Sequence, residues 1–258
     1  MSKLVRCAGM MLQRFFPVGL VLDTPQSVQV EEKRAWYRRD DVAGTYDDQR
    51  FGGPSGGHVN ERELSIVQSL LPRHGRFADV GCGTGRLTAV LRGRGNVVVP
   101  VDASAAMLAV AVRRGVHPVV QGDAFHLPVA DGACDGTTAV RFLFHFSDPV
   151  PLLRELRRVT RRGGTLVCDT YLWSPRSLLA VNKERWGTRV ATVSAAVFTR
   201  IARECGWSVR SEVHCFLVSP YIYRRLPLSL VRLLERLECR LPGVLLCRVF
   251  WALEAVNG

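Results

Sequence analysis

Apolar and polar positions follow two alternating rhythms along this chain. Phe77–Val80, Asn96–Val101, His117–Gln121, Cys134–Val140, Thr165–Thr170 and Trp207–Leu217 are short, apolar or β-branched runs that read as strands. Gly85–Leu91, Ser104–Arg114, Ser147 to about Thr160 and Ser194–Cys205 read as helices between them. Ser104 is a capping residue, Ser147-Asp148-Pro149 is a helix start, and Gly115, Gly163-Gly164 and Gly206 are stops. Upstream, Leu64, Val67 and Leu71 give Glu61–Leu71 a helical spacing that Pro72 ends, and Glu31–Val42 is a charged, helix-like stretch. The five glycines and one proline between residues 44 and 57 predict a mobile loop. Downstream, Pro227–Leu241 reads as an amphipathic helix, Pro242-Gly243 breaks it, and Val244–Val256 resumes as a last strand.

Strands alternating with helices imply an α/β fold with a mostly parallel sheet covered on both faces. The returning last strand adds an antiparallel pair at one edge. The expected organisation is a helical lid and mobile loop over 1–57, then one domain over 58–258 with a helical insertion near 220–243. A length of 258 residues suits one large α/β domain with appended lid elements.

Composition narrows the picture. With 47% apolar and 22% charged residues, disorder is excluded for most of the chain. The net charge of +12 favours anionic partners, yet 32 of the 35 basic residues are arginine and they are spread along the chain. The eight cysteines form no C-x-x-C pair and sit mostly in apolar runs, as in a reduced, cytoplasmic protein. Leu4–Leu22 is interrupted by Arg6, Arg14 and Pro17, so it reads neither as a membrane span nor as a signal peptide.

Candidate chemistry centres on Asp79-Val-Gly-Cys-Gly-Thr-Gly85, a turn that follows a strand and opens a helix. Gly81, Gly83 and Gly85 let the backbone turn sharply and approach a ligand, and open α/β sheets bind ligands at this carboxyl end of the strands. Asp102 ends the next strand, where a carboxylate can accept from both hydroxyls of a ribose. Gly122-Asp123-Ala124 follows the third strand, where a carboxylate can meet an adenine amino group. Asp79, in place of the apolar residue usual in nicotinamide turns, suits a ligand carrying positive charge.

These residues resemble a class I S-adenosylmethionine-dependent methyltransferase. Phe77–Arg86 is similar to the first motif of that superfamily, and Val101-Asp-Ala-Ser-Ala-Ala-Met-Leu108 to its second acidic motif. Gly122–Pro128 with Asp131–Asp135 resembles the corresponding segment of the small-molecule branch, which includes the enzymes of ubiquinone and menaquinone biosynthesis. The resemblance implies a Rossmann-like, seven-stranded sheet with S-adenosylmethionine as cofactor and no metal. It implies that Asp79 and the turn Gly81-Cys82-Gly83-Thr84-Gly85 hold the methionine moiety, Asp102 the ribose, Ala103 and Met107 the adenine, and Asp123 with Ala124 its edge. Val140 and Arg141 would lie beside the sulfonium. An arginine there is a departure, understandable if it points at the acceptor or pairs with a carboxylate.

Methyl transfer is an in-line displacement, so a protein mainly aligns donor and acceptor and excludes water. His145 is the candidate general base for a hydroxyl acceptor. Tyr46 is expected to cap the cofactor, with Arg50 beside it, and Tyr171 and Trp173 to wall the acceptor pocket. The apolar stripe Leu230, Leu233, Leu234, Leu237 and Leu241, flanked by Arg232, Arg236 and Arg240, predicts a lipophilic small acceptor. With the Phe15-Phe16 stretch it also predicts peripheral contact with the inner face of a membrane. Methylation of RNA or protein is the alternative. Arg141–Phe146 lacks the Pro-Pro motif of base-amino methylating enzymes, which disfavours nucleic acid. A cofactor-binding module without activity is the alternative from another class.

Overall fold

In the computed structural model the described residues are 26–174 and 190–256. The expectations for Leu4–Leu22 and Phe15-Phe16 lie outside them. Three helices come first: α1 (Gln26–Tyr37), α2 (Asp40–Phe51) and α3 (Gly53–Leu70). Then β1 (Arg76–Val80), α4 (Arg86–Gly93), β2 (Val97–Asp102), α5 (Ala105–Arg113), β3 (Val120–Gln121) and β4 (Cys134–Ala139) alternate. A 3-10 turn at Leu143–His145 leads to α6 (Val150–Val159), β5 (Thr160–Tyr171), α7 (Ala195–Glu204) and β6 (Trp207–Cys215). Two helices, α8 (Pro220–Tyr223) and α9 (Leu228–Glu238), precede β7 (Arg248–Ala255).

Among the described residues seven strands form one sheet in the order β3-β2-β1-β4-β5-β7-β6. β1 pairs in parallel with β2 and β4, and β4 with β5. β7 runs antiparallel to both β5 and β6, so the reversed strand stands one place in from the edge. Side chains alternate across the sheet as strand geometry requires. Ala78, Val80, Leu166, Cys168, Trp251 and Leu253 face one core, with Leu152, Leu153 and Leu156 of α6 and Phe198 of α7. Phe77, Val167, Tyr171 and Phe250 face the other, with Val59 and Val67 of α3, Leu87 of α4 and Val231 of α9. Ser104 caps α5 by accepting from Met107 N–H at 3.2 Å, and Ser194 caps α7 by accepting from Val197 N–H at 3.3 Å.

The glycine-rich stretch 44–57 is helical, not a mobile loop. Two of its five glycines serve close approach: a Cβ on Gly52 would stand 2.4 Å from the Asp48 carbonyl oxygen, and one on Gly56 2.5 Å from the Phe51 carbonyl carbon. With Gly53 at φ +73°, α2 turns directly into α3. Residues 57 and 58, on either side of the expected boundary, both lie within α3. The charged stretch 31–42 belongs to two helices that break at Arg38-Arg39. Residues 220–243 hold α8 and α9.

Candidate active site

The site forms where β1, β2 and β4 end and α1 and α2 lie across them. A cavity there has about 1080 Å³ of empty space, counting its open mouth and the solvent before it. Of the residues expected to bind cofactor, Tyr46, Asp79, Gly81, Cys82, Gly83, Asp102, Ala103, Met107, Asp123, Ala124, Val140 and Arg141 all border it, as does His145.

Gly85 is the exception. It sits at φ +73° where α4 begins, and a Cβ there would meet Ala111 and Val116 at 3.0–3.1 Å, so this glycine lets α4 pack on α5. The other two glycines differ from each other. A Cβ on Gly81 would lie 2.4 Å from the Phe142 ring, whereas one on Gly83 would meet nothing within 4 Å. Gly81 admits a neighbouring side chain; Gly83 faces open space.

Asp79 is buried, and its two oxygens accept from Thr88 at 2.6 Å and Thr138 at 2.8 Å. These bonds pin the floor of the turn. Burial nevertheless pushes its carboxyl up from the ordinary value. Asp102 accepts from the Gly83 and Ser104 amides, both at 2.8 Å, and burial raises its carboxyl too. Each of its oxygens keeps a second lone pair for a ligand hydroxyl. Burial drives the Cys82 thiol well above its usual range, so it is inert and serves packing.

Hydrogen bonds lock α1 and α2 over the cavity. Ser104 Oγ donates to the Tyr37 carbonyl at 2.6 Å, Thr84 Oγ1 to Asp47 at 2.9 Å, and Arg34 pairs with Asp123 at 2.8 Å. Lys33, Arg34 and Tyr37 thus join the lining. The sequence reading placed them only in a charged helix. Asp123 also accepts from Phe125 N–H at 3.1 Å.

Arg141 resolves the departure noted in the motif: it pairs with a carboxylate. Its Nη1 donates to Glu63 Oε1 at 3.0 Å, and its backbone N–H donates to Asp169. It stands at φ +60°, a strained value for a non-glycine residue. Arg248 bridges the same two acids, donating to Glu63 and, at 2.7 Å, to Asp169 Oδ2. Arg86 donates to Glu63 Oε2 at 2.7 Å. Burial alone would raise the Glu63 carboxyl, but Arg248, Arg141 and Arg86 hold it well below the usual range. Burial likewise pushes up the Tyr46 phenol, yet Arg141, Arg50 and Arg86 together bring it below its ordinary value. Tyr171 and Trp173 do not border the cavity: Tyr171 is buried against Phe144, its phenol pushed up to about 12 by burial. Trp173 Nε1 donates to the Leu245 carbonyl at 3.3 Å.

Residues 78–168 match a family described as a methyltransferase domain. Over that span the chain is similar to this family. Over 102 residues it is 41% identical to the demethylmenaquinone methyltransferase of Corynebacterium kroppenstedtii, covering 39% of this chain and 44% of that one. Over 113 residues it is 38% identical to the malonyl-[acyl-carrier protein] O-methyltransferase of Serratia marcescens, covering 43% and 44%. The chain spans about half the length of the relatives it matches. The structure of geranyl diphosphate C-methyltransferase from Streptomyces coelicolor A3(2) superposes with a TM-score of 0.63 at 19% identity, covering 91% of this chain and 100% of that one. The chain therefore has the fold that its motifs implied, with β7 as the reversed strand.

The residues fit the cofactor of such a domain. Gly83 leaves room where a Cβ would intrude, Asp102 has free acceptor capacity at the ribose position, and Lys33 and Arg86 bring positive charge to the lining.

Proposed function

We propose that this methyltransferase domain moves a methyl group from S-adenosylmethionine to a small, lipophilic acceptor. The observation that carries this reading is the Asp102 carboxylate held on the Gly83 amide at the rim of a cavity that runs on to Arg141 and His145. Bound there, S-adenosylmethionine supplies a methyl group already activated by its sulfonium. Asp102 binds the ribose hydroxyls. Met107 and Ala103 cover one face of the adenine, and Asp123 with Ala124 meets its edge. Asp79, fixed by two threonines, sets a negative field beneath the methionine amine. Tyr37 and Tyr46 close the cavity against water. His145, whose ring packs 5.8 Å from that of Tyr37 and 4.7 Å from that of Phe144, takes the proton of a hydroxyl acceptor.

The lipophilic character of the acceptor draws support from α9. Leu230, Leu233 and Leu237 are exposed there, Ile222 and Val244 are exposed nearby, and Arg232, Arg236 and Arg240 are exposed among them. The buried face of α9 is Val231 and Glu238 instead. Outward leucines between arginines suit the surface of an anionic membrane, from which an apolar acceptor is drawn. We place the protein in the cytoplasm, peripheral to the inner face of that membrane.

Calorimetry with S-adenosylhomocysteine tests the cofactor, and donor consumption with a panel of quinone-like, acyl and RNA acceptors tests the transfer. Binding with turnover on an apolar acceptor is expected. Binding without turnover on any acceptor supports the inactive module, and turnover on RNA alone overturns the small-molecule reading.

A further inference from the structure

Positive charge is in excess along one wall of the cavity, which Arg86 and Arg141 border while Arg50 and Arg248 stand behind it. Arg50, Arg86, Arg141 and Arg248 crowd together, while Glu63 and Asp169 are the two carboxylates that pair with them. The next carboxylate, Asp79, gives its oxygens to Thr88 and Thr138. Arg50 has no carboxylate partner among the described residues. Its guanidinium lies on two rings instead, 5.4 Å from the centre of Tyr46 and 4.3 Å from that of Tyr221. Burial lowers its pKa, as expected of a cation kept from water without a counter-ion, and Arg141 lowers it further. Three donors in this cluster are buried with no hydrogen-bond partner: Arg50 Nε, Arg141 Nε and Arg248 Nη2. A buried guanidinium with unused donors is costly unless an anion arrives to take them.

The position of the cluster says which ligand it awaits. The ribose and adenine residues Asp102 and Asp123 follow β2 and β3, at one end of the sheet order. Arg141 follows β4, and Arg50 reaches toward Tyr221 of α8, which follows β6 at the other end. Arg86, next to the glycine turn, gives Nη1 to Asn60 at 2.5 Å and Nη2 to Glu63 at 2.7 Å. Arg50 and Arg141 therefore lie on the side of the sheet order away from the ribose and adenine residues, the side that the methyl-transfer reading leaves to the acceptor.

We propose that the acceptor carries an anionic group, a carboxylate or a phosphate, seated by Arg50 and Arg141 beside Tyr46. This inference rests on the methyl-transfer reading above and narrows it from a lipophilic acceptor to an amphiphilic one. The planar guanidinium fork suits both oxyanions. The head would neutralise the cluster while the apolar remainder lies along the aromatic lining.

The test uses the full chain saturated with S-adenosylhomocysteine and three matched probes: octanoate, octyl phosphate and neutral octanamide. Calorimetry is expected to show at least one anion binding about tenfold tighter than octanamide without displacing S-adenosylhomocysteine. The tighter of the two anions identifies the head group. Arg50→Gln should bring that anion down to the octanamide level, Arg50→Lys should keep part of the preference, and both should bind S-adenosylhomocysteine normally. Equal binding of octanamide, no binding of either anion, or an unchanged preference in Arg50→Gln overturns the proposal. Displacement of S-adenosylhomocysteine by the anions also overturns it, because the guanidiniums then serve the donor. The wild-type comparison decides the matter even if a variant does not fold. If S-adenosylhomocysteine fails to bind the wild type, the methyl-transfer reading itself falls, which is a separate result.

Discussion

Glu63 accepts from Arg141 at 3.0 Å and through the same oxygen from Arg248. One carboxylate on α3 thus ties the end of β4 to the start of β7. Removing one partner of a buried ion pair costs about 3–5 kcal/mol, because the remaining charges stay buried and uncompensated. Glu63→Ala is expected to be destabilised by that amount in urea unfolding, and a loss below 1 kcal/mol would contradict the network. The pH dependence follows the same sign. Glu63 is held far below its ordinary value of 4.5, so its contribution is present above that pH and is lost as pH falls through the depressed folded value. Acid unfolding of the wild type should therefore set in below about pH 4, and Glu63→Gln should flatten that limb.

Asp102→Ala should weaken S-adenosylhomocysteine binding by about 2–3 kcal/mol, the range for lost hydrogen bonds to a charged acceptor. Burial raises this carboxyl in the free protein, and the ligand hydroxyls bind its ionised form. Affinity should therefore fall with pH somewhat above the ordinary aspartate range. Calorimetry across pH checks both points; an Asp102→Asn variant with the wild-type pH profile would exclude this residue.

Gly81→Ala and Gly83→Ala separate two kinds of glycine. Both stand at positive φ, +69° and +55°, which costs about 1–3 kcal/mol for another residue. Gly81→Ala also drives a methyl group into the Phe142 ring. It should lower Tm clearly more than Gly83→Ala, whose methyl group enters the cavity and should reduce cofactor affinity instead. Thermal melts with and without S-adenosylhomocysteine distinguish the two.

The exposed leucines of α9 are open to a direct test. Leu233→Glu with Leu237→Glu should leave the melting temperature within about 1–2 °C of wild type, since both side chains face outward and such changes usually stay within 0.5 kcal/mol. Co-sedimentation with anionic vesicles at low salt should disappear in the double variant. Wild-type protein that never sediments would end the membrane proposal.

Much of the fold was legible in the sequence because it follows local rules. Ser104 and Ser194 cap the helices their positions suggested, and alternating residues of β5 and β7 divide between two cores. The glycine turn and Asp102 were legible as a site because the spacing of a strand, a turn and a strand end is itself local. The stretch 44–57 was misread because glycine marks loops by propensity, while here Gly52 and Gly56 allow close backbone approaches that propensity does not encode. Gly85 was assigned to the ligand for the similar reason that a packing glycine and a binding glycine look alike in one dimension. The charged cluster was hidden by distance: Glu63 meets its partners 78 and 185 residues away. A signal was present all the same, since Val59, Glu63 and Val67 stand four apart on one helix face, and an acid on a buried stripe implies a buried cation. Arg248 inside an apolar strand is the matching sign.

The place of β7 in the sheet has a consequence for synthesis on the ribosome. β7 lies between β5 and β6 although both precede it in the chain. A nascent chain that has reached residue 245 can pair β1 to β5, but β5 then presents an open edge that only the next ten residues will cover. Glu63 and Asp169 likewise wait for the Arg248 guanidinium. The parallel half of the domain, with its glycine turn, can form while translation continues, whereas the arginine-lined end is completed late and over long sequence separations, the arrangement that slows folding and leaves it most dependent on chaperones.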